Sequence, residues 1–518
     1  FLKMVREDAG DDVRVAAGLV RDDDLHGLFG EAGLGRRDGG KGDGGCDEGG
    51  SGVFKEIHKH CNPPNFDKNE ARRAAGPYFK FSIRRSNLFI LGGFPGVKAG
   101  AAGFKGERVQ NRTEKNFSLS HLATFTSVLA HGRIAAAGEH LRRSPSAVSR
   151  SLGILEEKFG RPLLTRAQDG MSPTPVGGLV AERCGIIQAE LNDLRDMLAS
   201  GHDVGVHENA SLFHMHVDMS RLRALVAVHD FGSVKRACQV LGVSQPAIST
   251  SIRHLEDDLG VALFSRTPTG MIVTPAGVSS TLCFKRVLSE LRKMADDVES
   301  FEGESSGSVC VGGLAYSRNA LLPEAITRVL AQHPQILVRT VEGPIDSLIA
   351  GMHAGEIDVL ICAEPNKALL ESVAVEPIVR DPMGLFVAAD HPLAGRKAVS
   401  AEDLRRYPFI LPPLGSVTRA LLDQVFVKTT GRPPEGAVET SSNAVIRYLL
   451  LNSEQISFRS RIEFNAEELA GRIVPLDLGF ALPERTICLL QRCGVRQTAA
   501  VNDFMGVVRE VAGAGRGR

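Results

Sequence analysis

One stretch of this chain occurs twice. Leu122 to Gly177 aligns without a gap on Leu222 to Gly277, offset by 100 positions, and 19 of the 56 aligned residues are identical. The shared residues include Gly132/Gly232, Ser144/Ser244, Ala147/Ala247, Ser149/Ser249, Leu155/Leu255, Glu156/Glu256, Gly160/Gly260, Arg166/Arg266, Gly170/Gly270 and Thr174-Pro175/Thr274-Pro275. A repeat of this length is a folded unit used twice. Whatever one copy folds into, the chain must accommodate two of them.

The second copy carries the clearer signals. From Ser220, the apolar residues Leu222, Leu225, Val226 and Val228 fall on one helical face. Gly232 and Ser233 stop that helix, and Ser233 can cap the next. Val234, Ala237, Cys238 and Leu241 give a second stripe. Gly242 ends a short turn, and Ser244 stands at an N-cap. Pro246 falls in the first helical turn, where a missing N–H is harmless. The third helix runs to about Leu259 and is closed by Gly260. Ile248, Ile252, Leu255 and Leu259 face inward, and Gln245, Ser249, Thr250, Arg253 and His254 face out.

Two short helices joined by a small-residue turn, the second with a polar outer face, form a helix-turn-helix. The start of the second helix must reach base edges, which calls for short polar or bidentate side chains. Helix N-termini can also hold phosphates. Leu263 to Arg266, a break at Thr269-Gly270 and Ile272 to Thr274 read as two small strands and a turn. This is a wing, with Arg266 placed to meet a phosphate. A three-helix bundle with no role on DNA is the plainer alternative.

These residues resemble the LysR-type transcriptional regulators. The matching segments are Ser244-Gln245-Pro246-Ala247-Ile248-Ser249, Leu255-Glu256-Asp257-Asp258-Leu259-Gly260, Leu263-Phe264-Ser265-Arg266 and Thr274-Pro275-Ala276-Gly277. The expected DNA contacts in this copy are Ser244, Gln245, Pro246, Ser249, Thr250, Arg253 and Arg266. In the first copy they are Ser144, Ser146, Ser149, Arg150 and Arg166. That copy departs from the pattern. Pro145-Ser146 replaces Gln245-Pro246, and Gly153 stands at the place of Arg253. Arg142, Arg143 and Arg150 make it more basic, about +3 against +1 over the aligned positions. The first copy is expected to hold the DNA backbone or serve as a pairing partner, with weaker sequence reading. A copy kept only for structure is the alternative.

At 518 residues the chain has room for three or four domains. Its formal net charge is zero, so any attraction to nucleic acid must be local and salt-sensitive. No apolar run reaches 18 residues, so no membrane partner is expected. The first twenty residues are charged and show no signal peptide, which points to a cytoplasmic protein. Cys238, Cys283, Cys310 and Cys362 fall in apolar stretches and read as reduced core residues, and Cys488 and Cys493 get the same plain reading. His58, His60 and Cys61 match no familiar zinc spacing, so neither metal nor cofactor is expected. Residues 1–115 are glycine-rich, and Gly39 to Gly52 is nearly all Gly, Asp, Glu, Ser and Lys. Such a segment buries too little apolar surface to offset its ordering entropy, and no stable fold is predicted there.

The expected architecture is multidomain. Two all-α winged helix-turn-helix units (117–177 and 219–277) are each followed by a linker helix (178–200 and 278–302). A two-lobed α/β effector domain (308–510) resembles type 2 periplasmic binding proteins. The linker stripes are Leu179, Val180, Ile186, Ile187, Leu191, Leu194 and Leu198, and Leu282, Val287, Leu288, Leu291, Met294 and Val298. Each seam would bury area worth several kcal/mol at ~25 cal/mol per Å². In the family such helices pair antiparallel between subunits, so self-association is expected. A second possibility is that the two pair within one chain.

From Val309 strands and helices alternate, which predicts a helix-covered parallel sheet. Met383 to Ala388 is expected to cross to a second lobe, and Arg472 to Leu478 to cross back. Leu321-Leu322-Pro323-Glu324-Ala325, His333-Pro334, Gly355-Glu356-Ile357-Asp358 and His391-Pro392-Leu393 resemble the family's effector domain. Ligands of open α/β sheets bind beyond strand carboxyl ends. There Ser317, Ser416, Thr418 and Asn443 are the candidate effector contacts, and the helix N-termini favour a small organic anion. A solute-binding protein and an enzyme are the rivals. No nucleophile–base set, metal spacing or phosphate loop stands out, so no catalytic residue is assigned.

Overall fold

The computed structural model describes residues 117–167, 170–200, 206–267, 270–301, 303, 305–313, 321–464 and 470–514, and four short strands before them. The chain divides into two compact units, Phe1–Lys105 and Gly106–Arg518. In the first, β1 (Lys3–Met4) pairs with β2 (Val15–Ala16), and β3 (Phe79–Arg84) pairs with β4 (Asn87–Gly92), both antiparallel. The remainder of that unit, with His58, His60 and Cys61, lies outside the described residues.

The second unit holds both repeats. The first comprises α1 (Leu119–His131), α2 (Ile134–His140), α3 (Pro145–Phe159), the hairpin β5 (Leu164–Ala167) and β6 (Gly170–Pro173), and the long α4 (Pro175–Ser200). The second comprises α5 (Met219–Phe231), α6 (Val234–Leu241), α7 (Gln245–Leu259), β7 (Phe264–Thr267), β8 (Gly270–Val273) and α8 (Pro275–Glu299). The predicted inward residues Ile248, Ile252, Leu255 and Leu259 are all buried.

Several repeated identities are structural joints. Glu156 Oε1 accepts from the N–H groups of Leu163 (2.7 Å) and Leu164 (3.3 Å). Glu256 does the same for Leu263 (2.8 Å) and Phe264 (3.2 Å). Each glutamate thereby fixes where its wing begins. Thr174 and Thr274 donate to the carbonyls of Pro162 (2.9 Å) and Ala262 (2.7 Å) and accept from Gly177 and Gly277 N–H. The linker helix is thus tied to the wing in both copies.

The two linker helices pack against each other within the chain. Arg183 of α4 meets Glu290 and Asp297 of α8, while Glu190 meets Cys283 and Arg286, so the helices run antiparallel. Val180, Cys184, Ile187, Leu191 and Leu194 share a single core with Phe284, Val287, Leu291, Met294 and Val298. That core also takes in Leu122 and Phe125 of the first copy and Leu222 and Leu225 of the second. Leu179, Ile186, Leu282 and Leu288, placed on the stripes by periodicity, are only half-buried. Arg183, Cys283 and Phe284 take seam positions instead. The helices begin at Pro175 and Pro275, a few residues before the expected linker starts.

The C-terminal domain is built on one nine-stranded sheet in the order β10-β9-β11-β17-β12-β15-β13-β14, with β16 also on β12. Lobe I holds β9 (Gly307–Gly313), β10 (Ile336–Val341) and β11 (Val359–Ala363), all parallel, covered by α9 (Leu322–Gln332) and α10 (Ile345–His353). Lobe II holds β13 (Phe409–Leu411), β14 (Gly436–Glu439) and β15 (Ile456–Ser460), with α12 (Val417–Thr430) and α13 (Asn443–Asn452) after the short α11 (Ala401–Leu404). The strand β12 (Val373–Ala388) spans both lobes. Val373 to Pro382 pairs with β17 (Glu484–Arg492), and Met383 to Ala388 pairs with β15 and β16 (Ile473–Pro475). Met383 therefore marks the crossing, as predicted.

Two corrections follow. The return crossing is not Arg472 to Leu478: β16 stays in lobe II on β12, and β17 makes the return. The sheet is also mixed, because both strands that cross between lobes must run antiparallel to their neighbours. The chain closes with α14 (Ala499–Ala514) packed on lobe I, four residues past the expected end of the domain at 510.

Candidate nucleic-acid interface and ligand cleft

Helix α7 presents one continuous polar face. Ser244, Gln245, Pro246, Ser249, Thr250, Arg253 and His254 are all exposed. Ser244 also has a structural task, because its Oγ caps the helix by accepting from Ala247 N–H at 3.4 Å. Pro246 lies in the first turn, where no intrahelical donor is lost. Gln245, Ser249, Thr250 and Arg253 are then the side chains whose exposure no local bond explains. Arg266 lies in β7, and its side chain falls outside the described residues.

The first copy presents Ser144, Ser146, Ser149, Arg150 and Arg166 on the same faces, all exposed. Ser144 caps α3 through Ala147 N–H (3.3 Å) and its hydroxyl lies 3.0 Å from that of Ser146. Three arginines occupy positions that serve the backbone in the second copy or line its turn. Arg133 replaces the cap Ser233 and makes no side-chain cap bond, where Ser233 accepts from Arg236 N–H. Arg142 replaces Gly242 and keeps the left-handed conformation, at φ 52° against 66°. Such a backbone disfavours a side chain by roughly 1 kcal/mol. Arg143 replaces Val243 and is exposed. This copy has traded local stability for positive charge. His121 adds little to that charge, since burial, then Lys158 and Arg143, lower its pKa.

Two of the candidate cleft residues, Thr418 and Asn443, meet a buried ionic cluster. Arg485, in register with Asp381 where β12 leaves lobe I, donates from Nε to Asp381 Oδ2 at 2.6 Å. Its other nitrogens reach Thr418 Oγ1 (2.7 Å) and Glu463 Oε1 (3.3 Å) in lobe II. Ser460 Oγ donates to the second Asp381 oxygen. Arg459 pairs with Glu463 at 2.8 Å and donates to Asn443 Oδ1. Burial pushes the Asp381 carboxyl up, against the pull of Arg485. Thr418 and Asn443 are therefore brought together around one charged hub. Ser416 instead caps α12, accepting from Arg419 N–H (3.2 Å) and donating to Pro413 O (2.7 Å). Ser317 lies outside the described residues. Sequence reasoning missed Arg459, Arg485, Asp381 and Glu463. The available signal was slight: Arg459 directly follows Ile456-Ser457-Phe458, and Arg485 stands two positions before the apolar run Ile487-Cys488-Leu489-Leu490.

Among the described residues every cysteine is a free thiol. Cys184, Cys283, Cys310, Cys362 and Cys488 are buried and reduced, and burial pushes Cys184 and Cys362 up to about 12. Cys493 is exposed. Among the described residues no three His, Cys, Asp or Glu side chains converge on a metal position, and no helix is long and apolar enough to cross a membrane.

Comparison with known proteins bears directly on this arrangement. The model of the bacterial regulatory helix-turn-helix protein, lysR family, matches residues 119–178 and again 219–278. The LysR substrate binding domain matches residues 302–513. The HTH-type transcriptional regulator GalR of Pseudomonas putida is 31% identical over 394 residues, covering 76% of this chain and 97% of that protein. The chain belongs to the LysR family of transcriptional regulators. The RuBisCO operon transcriptional regulator of Allochromatium vinosum is 28% identical over 290 residues, covering 56% of this chain and 95% of its own. The match to GalR is longer by about the offset between the two repeats, enough to span both winged units. Among solved structures, full-length OxyR of Pseudomonas aeruginosa has a TM-score of 0.44 at 24% identity, covering 57% of this chain and 95% of that one. CbnR, a LysR family transcriptional regulator, has a TM-score of 0.43 at 22% identity over 57% and 99%. This LysR-family chain is a transcriptional regulator with a substrate-binding effector domain.

Proposed function

We propose that one chain supplies a complete two-armed DNA reader whose arms differ in kind, controlled by a small organic anion in the C-terminal cleft. The observation that carries this reading is the antiparallel packing of α4 on α8 within the chain. Pairing that the family makes between subunits is here supplied by one polypeptide acting in the cytoplasm.

The second unit reads sequence. Arg253 is the side chain best suited to a bidentate guanine contact, with Gln245, Ser249 and Thr250 beside it. Arg266 is assigned to a phosphate. The first unit holds the backbone through Arg150, Arg166, Arg142 and Arg143, with Ser146 and Ser149 nearby, and reads little. The expected operator is one specified half-site beside a tolerant one.

Replacing Arg253 with alanine should weaken cognate binding by ~1–3 kcal/mol and relax preference at one base pair. Fluorescence anisotropy on cognate and scrambled duplexes checks it; an equal loss on both would sink the role. The reverse change is also informative. Gly153 is exposed, and a Cβ there meets nothing within 4 Å. Gly153→Arg should raise helix stability by several tenths of a kcal/mol. It should also tighten binding to a duplex carrying two copies of the half-site, with no gain on the natural operator. Titrations on the two duplexes decide this.

In the cleft, Arg459 and Arg485 flank Thr418 and Asn443, and the N-termini of α12 and α13 lie close by in sequence. Asp381 and Glu463 balance the charges of Arg485 and Arg459, so the helix N-termini are what supports an anionic effector. Its binding shifts the population of closed and open lobes; a hundredfold preference supplies ~2.7 kcal/mol. Calorimetric titration with small organic acids tests the class, and binding confined to neutral or cationic compounds would refute it.

A further inference from the structure

We infer that the seam between the linker helices is charge-coded: it accepts α4 against α8 and disfavours two like helices from different chains. This rests on the single-chain reader proposed above.

The repeat makes the code visible. At the offset of 100, Arg183 corresponds to Cys283, Glu190 to Glu290, Asp193 to Lys293 and Met197 to Asp297. The seam is antiparallel, so position 183 faces 290 and position 190 faces 283. Both halves are observed. Arg183 Nη1 donates to Glu290 Oε2 at 2.6 Å, and Cys283 Sγ lies 3.3 Å from the Glu190 carbonyl. Arg183 Nε also donates to Asp297 Oδ2 at 2.8 Å. Arg183 is fully buried, with Glu290 and Asp297 almost so. At the matching site Cys283 offers Glu190 no charge. Arg286 (3.1 Å) and Arg492 of the effector domain (2.9 Å) serve that carboxylate instead.

Consider two chains pairing like with like. A pair of α8 helices would set Glu290 against Cys283 twice and remove Arg183 from Glu290 and Asp297. Lys293 would stay 3.5 Å from Glu290, but it is shared with Asp358. Asp297 would keep only Arg496 at 3.9 Å, which Glu182 holds at 2.5 Å. Buried carboxylates stripped of their cation are strongly unfavourable. A pair of α4 helices would satisfy Arg183 with Glu190, but the same two chains must then expose or pair their α8 helices. Arg496 adds a further tie, since its carbonyl accepts from Arg183 Nη1 at 2.8 Å. The effector domain thus closes over the α4–α8 seam of its own chain.

A disulfide trap in the full chain tests the code. Glu190→Cys places a thiol beside Cys283. Chains labelled with heavy and light nitrogen are refolded together and oxidised, and the 190–283 linked peptides are weighed. The parent should give same-label peptides. Adding Arg183→Glu should lower their yield about tenfold by setting acid against acid. Adding Glu290→Arg to that same chain should restore it. A mixture of chains carrying R183E alone with chains carrying E290R alone should yield mixed-label peptides, because each chain then complements the other. An unchanged same-label yield in the Arg183→Glu chain overturns the code. If that chain does not fold, failure of the double exchange to recover the same-label product overturns it equally. Mixed-label peptides in about half the product from the parent would instead remove the single-chain reader itself.

Discussion

Arg485→Met should destabilise the effector domain by roughly 3–5 kcal/mol, the usual consequence of leaving a buried charge without its partner. Asp381 is fully buried and Arg485 supplies its charge-assisted bond at 2.6 Å. Without the arginine, Asp381 keeps its bond from Ser460 and Glu463 its pairing with Arg459. The pH dependence has a definite sign. The Asp381 carboxyl is already raised by burial, and losing Arg485 raises it further. A group raised in the folded state favours folding at low pH and loses that advantage as pH rises through its folded pKa. The destabilisation should therefore be full at pH 7 and shrink as pH falls and the carboxyl becomes neutral. Asp381→Asn in the same chain should recover most of it. Scanning calorimetry of the effector transition at pH 7 and at acid pH checks this; a pH-independent loss, or no rescue, would show that the cluster does not carry buried charge.

Gly277→Ala should damage the second reading arm as severely. A Cβ there would sit 2.1 Å from the Leu263 carbonyl oxygen and 2.7 Å from a methyl of Val273. The obstacle is backbone that already accepts from Thr274 N–H at 3.0 Å, so it cannot retreat without breaking the joint between wing and linker helix. The expected loss is about 3 kcal/mol or more, at or beyond the upper end for overpacking. Sequence-specific DNA binding should fall with it. Gly177→Ala, at 2.0 Å from Leu163 O, should do the same to the first arm. Gly185 provides the control: it is helical and exposed, with nothing within 4 Å of an added Cβ. Gly185→Ala should stabilise by up to ~1 kcal/mol. Thermal melts of the three variants separate close approach from helix propensity. If Gly277→Ala and Gly185→Ala shifted the melting temperature alike, the joint would not be the reason for the repeated glycine.

Much of the reading arm was legible because its signals are local. Caps, turn glycines and a 3.6-residue stripe act within a few positions, so Ser233, Ser244 and Gly260 could be placed before any contact was known. The repeat then separated two kinds of shared residue. Glu156/Glu256 and Gly177/Gly277 recur because each joint needs them, whereas Arg253 and Gly153 differ at a surface where no contact within the fold constrains them. The cleft was less legible. Thr418 and Asn443 were found from helix starts, but the arginines that hold them lie 67 and 16 positions away in sequence. The return crossing was misplaced for a similar reason. Ile473 to Pro475 has ordinary strand composition, and only its pairing with Phe386 to Ala388 keeps it in lobe II.

What one-dimensional information determined is the kind of module and its number: two winged helix-turn-helix units, two linker helices and a two-lobed domain. Periodicity and capping are properties of neighbouring residues, and they survive without knowledge of the tertiary fold. Which helix pairs with which was decided only in three dimensions. Both linker stripes are apolar, and hydrophobic burial is non-directional, so it would accept either partner. Arg183 against Glu290 and Asp297, joining residues more than a hundred positions apart, distinguishes the partners, because charge removed from water tolerates few alternatives.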